Sequence, residues 1–261
     1  MIRDFLVYTV SRDRARDYVM MITSLLYQKV LPKRVILVLD CENKDKYLYP
    51  STRSAIKKLS SLGVKFEIIQ TDISRQHRLH QLVNRYIGKD YSWVCRVDDD
   101  EILSPNYFEK VFEFIDKKEE EGEIIGGVGG YVLFSDGYFA NRAKISVDYA
   151  LQLGWEVENS LVLPNVQWFR GDGVVEVEHL HSSFFYKPNI VDYLYQVETP
   201  FTEETIFSNR LYRKGYKLYV LMDTGVYHVK SQKGGMRDEK EQDMYNIGYT
   251  VFSNYLRDEV N

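Results

Sequence analysis

Within its first hundred residues the chain alternates short apolar runs with segments of helical spacing, and no other feature constrains the fold as strongly. Phe5 to Val10, Val35 to Leu39, Val64 to Ile69 and Trp93 to Val97 are apolar runs of strand length, the pattern of strands buried on both faces. Between them Val19, Ile22, Leu25 and Leu26 recur at helical spacing, and residues 52 to 62 and 76 to 87 lead into Gly63 and Gly88. Each of these glycines stands where a helix would close. Repeated strand and helix units predict a mostly parallel sheet with helices on both faces, a Rossmann-like α/β/α sandwich.

After residue 120 the pattern changes. Gly126-Gly127 and Gly129-Gly130 flank an apolar run, and Val174 to His179 alternates with acids; mixed sheet and long loops are expected there. A helix returns over Thr202 to Lys214, closed by Gly215, and strands are expected over Tyr216 to Leu221 and Gly225 to Val229. The tail from Glu239 to Arg257 reads as helical. With 261 residues and 44% hydrophobic content the chain can bury a large core, and it is read as one domain spanning 1–261.

A formal charge of −4 offers no general attraction to nucleic acid or anionic lipid, so no nucleic-acid partner is expected. No run approaches the roughly 20 apolar residues of a membrane-spanning helix. The opening Met1-Ile2-Arg3-Asp4 lacks the basic start and apolar run of a signal peptide. A cytoplasmic location, free or peripheral to a membrane, is the expectation. Cys41 and Cys95, each beside a strand end, suit small packed side chains rather than a disulfide framework.

The chemistry concentrates in Asp98-Asp99-Asp100-Glu101, four acids where an apolar strand ends. Such a run repels itself unless a cation is near. Side chains alternate along a strand, so Asp98 and Asp100 are expected on one side, where their oxygens suit Mg²⁺ or Mn²⁺ holding substrate phosphates. The carboxyl ends of parallel strands are also where ligands bind in open α/β sheets. Glu203 and Glu204 follow the candidate N-cap Thr202, and the helix dipole favours ionised acids in a first turn. The basic, glycine-containing stretch Lys230 to Arg237 could close over a diphosphate as a lid. His179 and His181 share a strand face, and acceptor contact or packing is their expected role.

These segments together resemble inverting family 2 glycosyltransferases with the GT-A fold. Val7-Tyr8-Thr9-Val10-Ser11-Arg12, running into Met20 to Gln28, is similar to the family's opening strand and helix; Val35 to Asp40 is similar to its second strand, which ends in an acid. Asp98-Asp99-Asp100 matches the Asp-X-Asp signature, and Glu203 to Tyr216 resembles the Glu-Asp helix that ends in a glycine turn. The resemblance implies a GT-A fold and a divalent ion, Mn²⁺ or Mg²⁺, held by Asp98, Asp100 and His228. It implies a UDP-, GDP- or dTDP-linked sugar donor contacted through Thr9, Asp40, Arg78, Asn84 and Asp98, with Lys230 and Arg237 from the lid. Glu204, where the family usually has Asp, takes the place of the general base, with Glu203 beside it.

Residues 1–100 then form the donor half, 101–230 the acceptor half, and 231–261 a lid loop and helix. The acceptor is expected to be a carbohydrate, lipid-linked or other hydroxyl. No Gln-X-X-Arg-Trp motif follows, which argues against a processive polysaccharide synthase. Two rival readings are a nucleotidyltransferase, which would want a glycine-rich loop after the first strand, and a degenerate sugar-binding module without catalysis.

Overall fold

A computed structural model describes residues 1–12, 14–41, 48–71, 82–83, 91–134, 142–146, 166–170, 173–180, 182–188, 203–229, 247–248 and 250–251. The first half follows the predicted alternation: β1 (Ile2–Arg12), α1 (Asp17–Leu25), β2 (Leu31–Asp40), α2 (Pro50–Ser61), β3 (Lys65–Thr71) and β4 (Trp93–Arg96). The helix expected over 76 to 87 lies almost entirely outside the described residues. Then come β5 (Glu101–Leu103), α3 (Tyr107–Glu120), β6 (Ile125–Phe134), β7 (Arg142–Ser146), β8 (Val166–Arg170), β9 (Val174–Glu176), β10 (Phe184–Tyr186), α4 (Glu203–Arg213) and β11 (Lys217–His228). Among the described residues no helix is long and apolar enough to cross a membrane.

One large sheet runs in the order β3-β2-β1-β4-β10-β6-β11-β5, with β9 also on β11, while β7 and β8 form a separate antiparallel pair. β3, β2, β1 and β4 are mutually parallel, as are β6 and β11; β10, β5 and β9 run against their neighbours. Alternation along β1 divides the core. Phe5 and Val7 pack among side chains of α1, α2 and α3, whereas Leu6 and Tyr8 pack with Ile206, Phe207 and Leu211 of α4. Helices therefore cover both faces, the predicted α/β/α arrangement.

The three residues of β10 form a central strand because each is aromatic and each face needs filling. Phe185 meets Phe5 and Phe112 with ring centroids 5.5 and 5.2 Å away, and Tyr186 meets Phe207 at 5.1 Å on the opposite face. Full burial of such rings contributes on the order of 1.5–3 kcal/mol each, and in β10 it outweighs the weak local signal of a three-residue strand.

The two strands expected at Tyr216 to Leu221 and Gly225 to Val229 are one strand with a bulge. Leu221 pairs with Gly130 and Gly225 with the very next residue, Tyr131, so three residues of β11 are extruded. Gly225 permits this approach: a Cβ there would lie 2.0 Å from the carbonyl oxygen of Tyr131. The edge is then sealed by Ser104, whose backbone N–H and hydroxyl donate to the Gly225 carbonyl at 2.9 and 2.7 Å. Beyond the bulge β11 continues to His228, which the short edge strand β5 places opposite Glu101.

Candidate active site at the carboxyl ends of the strands

The acid run does not continue a strand. β4 stops at Arg96, Asp99 and Asp100 form a turn, and the Glu101 N–H donates back to the Asp98 carbonyl at 3.3 Å. Alternation therefore does not govern which acids meet. Glu101 opens β5 directly opposite His228, and the Val229 N–H fixes the register by donating to the Asp100 carbonyl at 2.8 Å. As a result Asp98, Glu101 and His228 bring one ligand atom each within 4.8 Å of one another. Asp100, expected as a ligand, stands beside them, its Oδ1 3.6 Å from His228 Nε2.

Glu101 was not among the expected ligands, yet it is wholly buried. Its Oε2 accepts from the Ser183 hydroxyl, which itself accepts the Asp98 N–H at 3.3 Å. Ser183 follows Ser182, whose φ of 54° is the left-handed conformation that a non-glycine residue adopts at a cost. The backbone is held there by the Tyr107 hydroxyl, which donates to the Ser183 carbonyl at 3.1 Å. Oε1 of Glu101 is buried with no hydrogen bond among the described residues. Burial, and next the charge of Asp98, push the Glu101 carboxyl well above its usual range. A buried carboxylate oxygen left over, beside a second carboxylate and an imidazole, suits a hard divalent cation, so this group could hold a metal ion.

Two arginines balance the remaining acids. Arg14, from the connection between β1 and α1, donates through Nη1 to Asp99 at 3.1 Å and to Asp100 at 3.2 Å. Burial, only partly offset by Arg14, raises Asp99 to about 7. Arg96 is 3% exposed and donates through Nη2 to Asp98 Oδ1 at 3.2 Å and to Glu203 Oε1 at 3.1 Å. Arg96 was not singled out from the sequence, where it stands just two residues before the acids.

Glu203 and Glu204 occupy the first turn of α4, as expected, and both are buried. Burial, then the neighbouring charge of Glu204, raise Glu203 to about 7 against the opposing pull of Arg96. An acid with a raised native pKa binds more protons folded than unfolded, so its contribution to stability is lost as pH rises from about 4.5 to about 7. Glu203→Gln removes that charge. Its stability relative to the parent should therefore improve between pH 5 and pH 8, by at most about 3 kcal/mol, read as the difference in denaturation midpoints at the two pH values. A constant difference would mean that Glu203 is not strained by ionisation.

Two strands away, Asp40 ends β2 opposite Arg12 at the end of β1, with Arg12 Nε 3.7 Å from Asp40 Oδ2. Strand spacing puts β2 roughly 10 Å from β4. The Thr9 hydroxyl is buried and has no hydrogen bond among the described residues. His179 is buried with Nδ1 3.4 Å from the Thr205 carbonyl, a packing position behind α4. Arg78, Asn84, His181, Lys230 and Arg237 lie outside the described residues, as does most of the expected C-terminal helix.

No family model matches the sequence, and neither does any curated protein. Solved structures do match in shape. A fragment of S. aureus TarS, residues 1–349 in complex with UDP, superposes with a TM-score of 0.57 at 16% identity over 88% of this chain and 61% of that one. GalNAc-T7 with UDP, GalNAc and Mn²⁺ superposes with a TM-score of 0.59 at 14% identity over 87% of this chain and 43% of that one. The chain has the GT-A fold. It spans less than two thirds of either protein. In a GT-A sheet, as in other open α/β sheets, the crevice beyond the carboxyl ends of the strands receives ligands, and Asp40, Asp98 and His228 all stand at such ends.

Proposed function

We propose that the chain is a metal-dependent, inverting glycosyltransferase that moves a sugar from a nucleoside-diphosphate donor to an acceptor hydroxyl. The observation that carries this reading is the joining of two acidic centres within a GT-A sheet. The carboxylate–imidazole group of Asp98, Glu101 and His228 meets the first turn of α4 through Arg96, which contacts both Asp98 and Glu203. Residues 1–100 form the donor half and 101–230 the acceptor half.

Asp98, Glu101 and His228, with Asp100 adjacent, would hold Mn²⁺ or Mg²⁺, which when bound supplies Lewis-acid stabilisation of the departing diphosphate. Asp40 accepts hydrogen bonds from donor groups on the nucleotide base, and Thr9 offers its hydroxyl on the next strand. Glu204 takes the proton of the acceptor hydroxyl. That oxygen attacks the anomeric carbon from the face opposite the diphosphate, and configuration inverts. The UDP present in both structural neighbours favours a UDP-linked donor.

A thermal-shift titration tests the reading. Nucleotide sugars with Mn²⁺ together should raise the melting temperature, because a ligand at about 100 times its Kd stabilises by roughly 2.7 kcal/mol; either alone should do less. If UDP-, GDP- and dTDP-linked sugars all leave the melt unchanged with Mn²⁺ and with Mg²⁺, the transferase reading fails.

A further inference from the structure

The two acidic centres share one cation. Arg96 is the last residue of β4 and is flanked in the sheet by Tyr8 of β1 and Phe184 of β10, so its backbone is fixed on both sides. One nitrogen, Nη2, donates to Asp98 at 3.2 Å and to Glu203 at 3.1 Å, and almost none of the side chain reaches solvent. Charge-assisted bonds in such a setting are poorly screened and geometrically demanding. Removing one member of a buried ionic group leaves the others uncompensated.

We propose that Arg96 is a positioning residue that ties the carboxylate of Asp98 to the first turn of α4, and so sets where Glu204 stands relative to the metal-binding group. This rests on the transferase reading of the site. Asp98 and Glu203 approach from different elements and would repel each other without a shared donor. Glu203 is the anchor of the turn, and Glu204, one residue on, is carried by it. Lysine is no substitute. Its ammonium is a compact point charge on a flexible stem, whereas the planar guanidinium fixes the directions in which its Nη2 donates to both carboxylates.

The test uses Arg96→Lys, Glu203→Gln and their combination in the full chain. Mn²⁺ affinity of Arg96→Lys, followed by electron paramagnetic resonance without donor, should fall by roughly 10- to 100-fold, the usual effect of disturbing a group that orients a ligand. Turnover should fall on the order of 100-fold, as misplacement by about 1 Å can cause, with the donor KM changed far less. The double variant should be no slower than the worse single one, since both break the same tether. Additive losses, or an Arg96→Lys protein with parental Mn²⁺ affinity and kcat, would overturn the proposal.

Hydrogen exchange separates this outcome from failure of the transferase reading. If the parent binds no Mn²⁺ and no donor, the transferase reading falls, and the tether is still read by amide exchange in residues 203 to 207. Faster exchange there in Arg96→Lys, with unchanged exchange in β1 and β2, supports the tether. Unchanged exchange in the α4 turn refutes it.

Discussion

Glu101→Gln is expected to lower Mn²⁺ affinity by more than the roughly 10- to 100-fold that loss of a supporting contact costs, because it removes a charge and a ligand atom together. The side chain is nearly isosteric, and the fold has no reason to suffer. Burial already holds the Glu101 carboxyl well above its ordinary range, so an uncharged group at that position relieves a penalty in the metal-free protein. Calorimetric titration of Mn²⁺, with the melting temperature measured alongside, reads both effects. Asp98→Asn should likewise lower Mn²⁺ affinity. Asp100→Asn decides between two ligand sets: the sequence pattern places Asp100 in the site, whereas the described geometry gives Glu101 that place and pairs Asp100 with Arg14. A large loss from Asp100→Asn with a small one from Glu101→Gln would restore the set read from the sequence. Unchanged affinity in all three variants would remove the metal site altogether.

That difference shows where the sequence is informative. β1, β2 and β4 were legible because strands buried on both faces leave continuous apolar runs, and α4 was legible because first-turn acids and Gly215, at φ 83°, mark both of its ends. The grouping of Glu101 with His228 was not. The two meet through an antiparallel strand pairing, and no local pattern reports a contact between residues so distant along the chain. Expecting Asp98 and Asp100 on one side also assumed that β4 ran on through the acids. It stops at Arg96 instead, since four acids in a row are stable in a turn where Arg14, Ser183 and backbone N–H groups can reach them separately. Arg96 lies inside the run Trp93 to Val97, and only the fold shows the first turn of α4 meeting it.

Glu204→Gln should lower kcat by about 10²- to 10⁴-fold, the contribution typical of general base catalysis, while Mn²⁺ and donor affinities stay near parental values. The reason is that a base serves the acceptor and not the donor. Glu203→Gln should act differently. Consecutive helix residues point about 100° apart, and Glu203 is the one in contact with Arg96 at 3.1 Å, so its loss releases the turn rather than removing the proton acceptor. A fall in kcat at the low end of that range, shared with Arg96→Lys, is the expected signature. The pH profiles separate the two roles further. Glu203, at about 7 and raised in part by Glu204, should titrate at lower pH in Glu204→Gln because a neighbouring negative charge is gone; carbon-detected titration of the carboxyl would read the shift. If Glu203→Gln is inactive while Glu204→Gln turns over at nearly the parental rate, the base is Glu203 and the motif is displaced by one residue. If both variants stay active, no acid of α4 accepts the proton, and the inverting mechanism proposed for this site is wrong.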